Sequence, residues 1–193
     1  MNIVVKNLKK SFRDKTVLNN LSITLKEGHT TVIMGQSGCG KSTLLNILMG
    51  IMKPDEGIIE GIGDRRISVV FQEDRLCDEF DAVSNVKLVL REDPGSSQII
   101  KDLMRVGLEE EDIVGKPVSK LSGGMKRRVA IVRAVMALED ILIMDEPFKG
   151  LDKENREKVI SYINERVKDK TLIFTTHNIE DVETFKGELI TIE

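Results

Sequence analysis

The run Gly35-Gln36-Ser37-Gly38-Cys39-Gly40-Lys41-Ser42 constrains this chain more than any other stretch. It fits the spacing G-x-x-x-x-G-K-S. It follows a short apolar run at 30–34 and precedes a helical pattern at 43–49, where Leu44, Leu45, Ile47 and Leu48 are apolar and Gly50 is the stop. The spacing therefore predicts strand, loop, helix in that order. A polyphosphate is a dense anion. Gly38 and Gly40 let backbone N–H groups curl around it with no Cβ in the way, and the helix N-terminus adds partial positive charge. Lys41 is placed to reach the β- and γ-phosphates, and the Ser42 hydroxyl to ligate Mg²⁺. A glycine turn with a chance Lys-Ser needs neither the strand nor the helix.

Composition excludes several other classes. The chain has 193 residues, which fits one domain at the ~100–200 residues common for domains. Its net charge is −3, with 32% charged residues, so the surface is mildly acidic and lacks the strongly basic balance of a dedicated nucleic-acid binder. Aromatic residues are 4% and Trp is absent, which argues against base-stacking platforms. Apolar runs are short, as at 141–144, against the ~20 residues of a spanning helix. The start, Met1-Asn2-Ile3-Val4-Val5-Lys6, has no leader pattern. Cys39 and Cys77 lack metal-type spacing and read as cytosolic thiols, not a disulfide framework.

Periodicity predicts strands over 2–8, 17–25, 30–34, 67–71, 141–144, 171–175 and 188–192. It predicts helices over 43–49, 84–90, 99–106 and 124–138, and a further helix capped by Asp152 with Val159, Ile160, Ile163 and Val167 on its apolar face. Lys53-Pro54-Asp55-Glu56-Gly57 reads as a turn, and Glu109-Glu110-Glu111-Asp112 as a solvated turn. Strand-helix alternation at both ends implies an α/β core with a parallel sheet. The middle reads as a helical lobe, about 75–135, inserted in that core.

Ile141-Leu142-Ile143-Met144-Asp145-Glu146 is an apolar strand ending in two acids. Open α/β sheets bind ligands at such strand ends. Asp145 suits Mg²⁺ held through water, and Glu146 suits orienting or deprotonating an attacking water. Joined to the phosphate loop, the pair indicates a P-loop NTPase. Leu121-Ser122-Gly123-Gly124-Met125 opens another helix with a serine and two glycines. It is an ordinary capped helix or a second anion-binding end; the latter suggests a second nucleotide or a second subunit.

These motifs together resemble the ATP-binding cassette family, along essentially the whole chain. Gly35 to Ser42 resembles its Walker A loop, Ile141 to Glu146 its Walker B strand, and Leu121 to Met125 its LSGGQ signature. Gln72 stands where the family has its Q-loop glutamine, Leu151-Asp152 where the D-loop ends, and His177 at the switch histidine. Phe12 lies where an aromatic ring usually stacks on adenine; on residue type alone it would read as core. The resemblance implies an α/β P-loop core with a parallel sheet, a small trimmed N-terminal antiparallel β lobe and an inserted helical lobe, all within one nucleotide-binding domain over 1–193. It implies ATP and Mg²⁺ as cofactors. Gly35, Ser37, Gly38, Cys39, Gly40, Lys41, Ser42 and Thr43 would cradle the phosphates, with Ser42, Gln72 and Asp145 at the metal. Catalysis would fall to Glu146 as base, His177, Gln72 and Lys41. Ser122, Gly123 and Gly124 would meet the γ-phosphate of a second, head-to-tail subunit, and Asp152 would lie at that interface.

The wider implication is an ATPase that drives solute transport through a separate transmembrane permease. It would sit in the cytoplasm on the inner face of the cell membrane, with no nucleic-acid partner. An extracytoplasmic solute-binding protein would complete an importer. Val70 to Leu76 and Asp145 to Asp152 look most like nitrate, sulfonate and taurine-type importer ATPases. A lipoprotein- or drug-extruding ATPase and a soluble cassette, for instance in iron–sulfur assembly, are the alternatives. Met125 departs from the signature glutamine and cannot donate a hydrogen bond, and Asn178 departs from the usual aspartate. Cys39 reads as filler at a variable loop position. Lys126, Arg127, Arg128 and Arg133 read as a solvated helix face rather than a nucleic-acid contact.

Overall fold

The computed structural model describes residues 1–13 and 15–192. Two long strands, β1 (Ile3–Phe12) and β2 (Lys15–Leu25), form an antiparallel pair. Strand β3 (Thr30–Met34) leads through the glycine loop into helix α1 (Lys41–Leu48). Strand β4 (Glu56–Glu60) then returns to pair with β1, giving a three-stranded antiparallel sheet ordered β2-β1-β4. This strand lies in a stretch that the sequence pattern reads as a turn at its start and leaves unassigned beyond. Its residues are mostly exposed, so no apolar alternation marks it; Lys6–Glu60 and Lys9–Glu56 pairs at 2.8 and 2.7 Å join it to β1 instead. Gly57 sits here at φ 93, where a Cβ would lie 2.6 Å from the carbonyl oxygens of Lys6 and Asn7.

Strand β5 (Ile67–Val70) begins the second sheet. Helices α2 (Ala82–Lys87), α3 (Ser96–Arg105) and α4 (Glu110–Ile113), a short 3-10 turn (Val118–Lys120) and helix α5 (Gly123–Met136) separate it from β6 (Ile141–Met144). Helix α6 (Lys153–Arg166), β7 (Thr171–Thr175), α7 (Glu180–Thr184) and β8 (Glu188–Thr191) follow. The five-stranded sheet is parallel and ordered β5-β6-β7-β3-β8. The α/β class, the parallel sheet and the small antiparallel sheet agree with the sequence reading.

Parallel strands covered on both faces should be apolar throughout, and β6 is: all four residues are buried. Alternation still sorts their side chains. Leu142 and Met144 join one core cluster with Leu172 and Phe174 of β7 and residues of α5 and α6. Ile141 and Ile143 join the other, with Ile173, Ile33 and the α1 residues Leu44, Leu45, Ile47 and Leu48, roofed by Ile3, Val5, Leu18 and Leu25 of the antiparallel sheet.

Two local readings need correction. The acidic stretch at 109–112 is solvated at Glu109, Glu110 and Glu111, as read, but 110–113 form one helical turn, in which three acids favour the positive end and Ile113 is fully buried. The basic stretch on α5 is not a solvated face. Arg127 and Arg128 are only 4% and 7% exposed, because carbonyls of neighbouring loops need donors there.

Candidate functional site

The parallel topology gathers the chemistry at one edge. Strands β3, β5, β6 and β7 run the same way, so the segments leaving their carboxyl ends meet there. Those segments carry Gly35 to Ser42, Gln72, Asp145 with Glu146, and His177. Ser37, Gln72, Glu146 and His177 line one cavity of about 480 Å³, and Ser42, Gln72 and Asp145 line a second of about 460 Å³. Gly35, Ser37, Gly38 and Cys39 line a third of about 620 Å³, together with Lys15, Thr16 and Val17.

The glycine loop has the conformation its residues permit. Gly40 caps α1 at φ 106, and a Cβ there would lie 2.7 Å from Leu18 Cδ2 and 2.9 Å from Val17 Cγ1. Lys41 is buried and its ammonium donates to the carbonyls of Gly35 and Gln36, at 2.9 and 3.0 Å. The ammonium thus rests on the loop that a phosphate would fill, ready to exchange carbonyls for phosphate oxygens. Thr43 lies in the first turn of α1, and Cys39 is half-buried.

The two acids after β6 are held differently. Thr175 Oγ1 donates to Asp145 Oδ1 at 2.6 Å and accepts from the Glu146 N–H at 2.9 Å. Glu146 takes φ 47, a left-handed conformation that non-glycine residues keep only when neighbours hold it. His177 Nε2 donates to Glu146 Oε1 at 2.8 Å, and the Lys149 ammonium lies 3.3 Å from Oε2. Burial pushes the Glu146 carboxyl up, but the His177 and Lys149 contacts outweigh it and hold the group below its ordinary value. Glu146 is therefore an ionised carboxylate beside an imidazole, partly shielded from water. Next to His177, buried Asp181 accepts from Arg156 and from the Thr176 hydroxyl, which fixes the backbone after β7.

Thr175, Asp181 and Arg156 carry none of the motif chemistry, and the sequence reading gave them no role. A hydroxyl at the end of β7 is the one signal that pointed to Thr175.

Other expected site residues stand apart. The cavities that hold the loop residues are not lined by Ser122, Gly123, Gly124, Asp152 or Phe12. Ser122 caps α5 through its hydroxyl, which accepts from the Met125 N–H at 3.3 Å. A Cβ on Gly123 would meet nothing within 4 Å. Met125 packs against the larger core cluster, so apolar packing stands where a polar contact would be lost. Asp152 caps α6, accepting from the Asn155 N–H at 2.9 Å. Phe12 is 44% exposed at the end of β1, opposite Lys15, with the Lys10 ammonium 5.7 Å from its ring centre.

Residues 18–149 match the sequence model of the family described as ABC transporter. The chain belongs to the ATP-binding cassette transporter family. A taurine import ATP-binding protein of Pseudomonas aeruginosa is 36% identical over 93% of this chain and 72% of its own length. A Nod factor export ATP-binding protein of Burkholderia lata is 34% identical over 97% of this chain and 66% of its own. The dimeric structure of a bacterial ABC transporter cassette superposes with a TM-score of 0.86 at 30% identity, covering 98% of this cassette and 94% of that one. The same neighbour has also been solved in a post-hydrolysis state bound to ADP and Pi. The cassette described here is accordingly an ATPase that binds ATP. Among its described residues, no helix is long and apolar enough to cross a membrane.

Proposed function

We propose that this cassette powers solute import through a separate transmembrane permease, working as a head-to-tail homodimer. One observation carries the dimer: the loop residues, Gln72, Glu146 and His177 line cavities within the chain, whereas Ser122, Gly123 and Gly124 line none of them and a Cβ on Gly123 would meet nothing within 4 Å. A nucleotide seated on one chain's loop then needs the helix start of a second chain to close over its γ-phosphate.

Within each half-site the roles follow the geometry. The 35–43 loop and Lys41 hold the phosphates, and Phe12 offers a ring for adenine. Oxygen donors alone, a hydroxyl and a carboxylate with the Gln72 amide, suit Mg²⁺, which keeps its waters and shares phosphate oxygens. Ser42 and Asp145 would hold that ion, which neutralises charge on the β- and γ-phosphates. Glu146 accepts the proton of the attacking water as its oxygen bonds the γ-phosphorus; the bond to the bridging oxygen breaks and ADP leaves. His177, already on Glu146, orients the base and the γ-phosphate. Asp152 lies at the subunit interface.

The taurine importer's likeness supports import, with a permease and an extracytoplasmic solute-binding protein as partners and the cassette on the cytoplasmic membrane face. The similarity to a Nod factor exporter supports export as the second reading. Burial of Arg127 and Arg128 removes the basic face a nucleic acid would need. The test is a cross-linked pull-down from native membranes, with Glu146→Gln as bait and ATP present. A multi-spanning membrane protein is the expected partner, and its identity separates import from export. Recovery of soluble proteins or nucleic acid alone would overturn the transport reading.

A further inference from the structure

Arg127 lies one turn into α5, the helix that begins at Gly123. Its guanidinium reaches both loops that carry the catalytic groups. Nη1 donates to the Phe71 carbonyl at 2.5 Å and lies 3.2 Å from Asp74 Oδ1. Nη2 donates to the carbonyls of Gln72, Asp145 and Glu146, at 3.2, 3.3 and 3.1 Å. A guanidinium is a rigid planar fork, so these carbonyls are fixed relative to one another as well as to the helix. Further along α5, Arg133 donates to the carbonyls of Asp74 and Arg75, at 2.9 and 2.7 Å. The Arg75 guanidinium in turn lies 3.7 Å from the centre of the Phe71 ring.

The 71–75 loop is thus fastened to α5 along its length, but Arg127 alone among these arginines also holds Asp145 and Glu146. Glu146 needs such support, since its left-handed backbone persists only where neighbours determine it. Its N–H is held by Thr175 and its carbonyl by Arg127.

We propose that Arg127 is a positioning residue: it locks the Gln72 loop and the Glu146 turn to the helix that starts at the signature serine and glycines, so that docking of that helix start on a second nucleotide is felt at its own chain's catalytic base. The proposal rests on the reading of Glu146 and Gln72 given above. It adds a rigid link between the helix start facing one nucleotide and the base acting on the other. Arg127 touches no phosphate-loop residue in the contacts described, so it acts on the chemical step and not on nucleotide capture.

The test compares Arg127→Gln and Arg127→Lys with wild type and Glu146→Gln, measuring kcat, KM, ATP affinity by calorimetry and thermal midpoint. For Arg127→Gln, kcat should fall by about 10- to 100-fold, the scale of a small misplacement of reacting groups. ATP affinity should stay within about twofold. A lysine offers a point charge without the fork, so Arg127→Lys should recover only part of kcat. A lowered midpoint with kcat within about twofold of wild type, measured well below that midpoint, would make Arg127 merely structural and overturn the link. If Arg127→Gln does not fold, Arg127→Lys decides. A kcat loss beyond about threefold at unchanged ATP affinity supports the link, and a smaller loss overturns it. Wild-type hydrolysis by Glu146→Gln would instead sink the assignment of the base.

Discussion

The carboxyl edge of the parallel sheet and the start of α5, the two elements proposed to meet phosphate, differ in how far the chain itself supplies their partners. At the sheet edge, Lys41, Asp145, Glu146 and His177 all have partners inside the chain. At the start of α5, the Ser122 hydroxyl accepts from the Met125 N–H within its own helix, and a Cβ on the adjacent Gly123 would meet nothing within 4 Å. The difference lies in how each is built. Parallel strands must deliver their carboxyl-end loops to one edge, so a single chain suffices there. A helix N-terminus offers unpaired N–H groups and positive potential wherever it lies, and the residues at this one line none of the cavities that hold the loop residues. A complete site is therefore expected only when a second copy brings its phosphate loop to that helix.

The largest effect should come from removing the base. Glu146→Gln keeps the shape and loses the proton acceptor, so hydrolysis should fall by about 10²–10⁴-fold while ATP still binds. Light scattering with MgATP should then find the variant trapped as a dimer; a monomer at high concentration would break the comparison at its second half. Next in size, Lys41→Ala removes the ammonium proposed to bind phosphate, which rests on the Gly35 and Gln36 carbonyls. Calorimetry should register a loss of about 10- to 100-fold in ATP affinity, the worth of one strong charge-assisted hydrogen bond.

Mixing chains sharpens the comparison further. Lys41→Ala and Gly123→Asp should each be inactive alone, and the open surroundings of Gly123 leave room for the aspartate. A mixed dimer contains one site with an intact loop and an intact helix start, so hydrolysis should reappear on mixing. Failure to recover any activity would place both elements in one chain's site.

The smallest effect concerns the helical insertion. Asp81 caps α2, accepting from the Ser84 N–H at 2.8 Å, and also accepts from the Gly115 N–H at 2.9 Å. Burial pushes its carboxyl up, yet these hydrogen bonds outweigh burial and hold it below its ordinary value. A depressed native value means stability that is present above the unfolded carboxyl's titration and lost as pH falls through the lower native one. Asp81→Ala should cost about 1 kcal/mol and flatten this acid dependence of the melting temperature, with ATP hydrolysis at neutral pH largely retained.

Legibility followed the kind of signal each residue carries. Strands β6 and β7 are read within a residue because burial on both faces leaves unbroken apolar runs, Ile141 to Met144 and Leu172 to Phe174, the latter flanked by buried threonines. Strand β4 escaped because its partners are charged side chains on β1, a cross-strand relation with no local period. The loop lysine at the start of α1 and the acids and histidine that follow β6 and β7 were singled out because each type suits phosphate chemistry at those places, and the structure brings Glu146 and His177 into contact. Arg127 was misread as a solvent-facing cation: in a list of residues a guanidinium facing water and one filling a nest of carbonyls look alike.

The sequence by itself determined the α/β class, the phosphate loop, the acidic strand end and the glycine-bearing helix start, because each depends on short-range spacing and residue type. Only the tertiary structure decided that Glu146 shares a hydrogen bond with His177, that Thr175 steadies both acids, and that Arg127 ties the Gln72 loop to them. Those relations span strands and helices far apart in the chain. They exist because the sheet order β5-β6-β7-β3-β8 sets neighbours that no local spacing encodes.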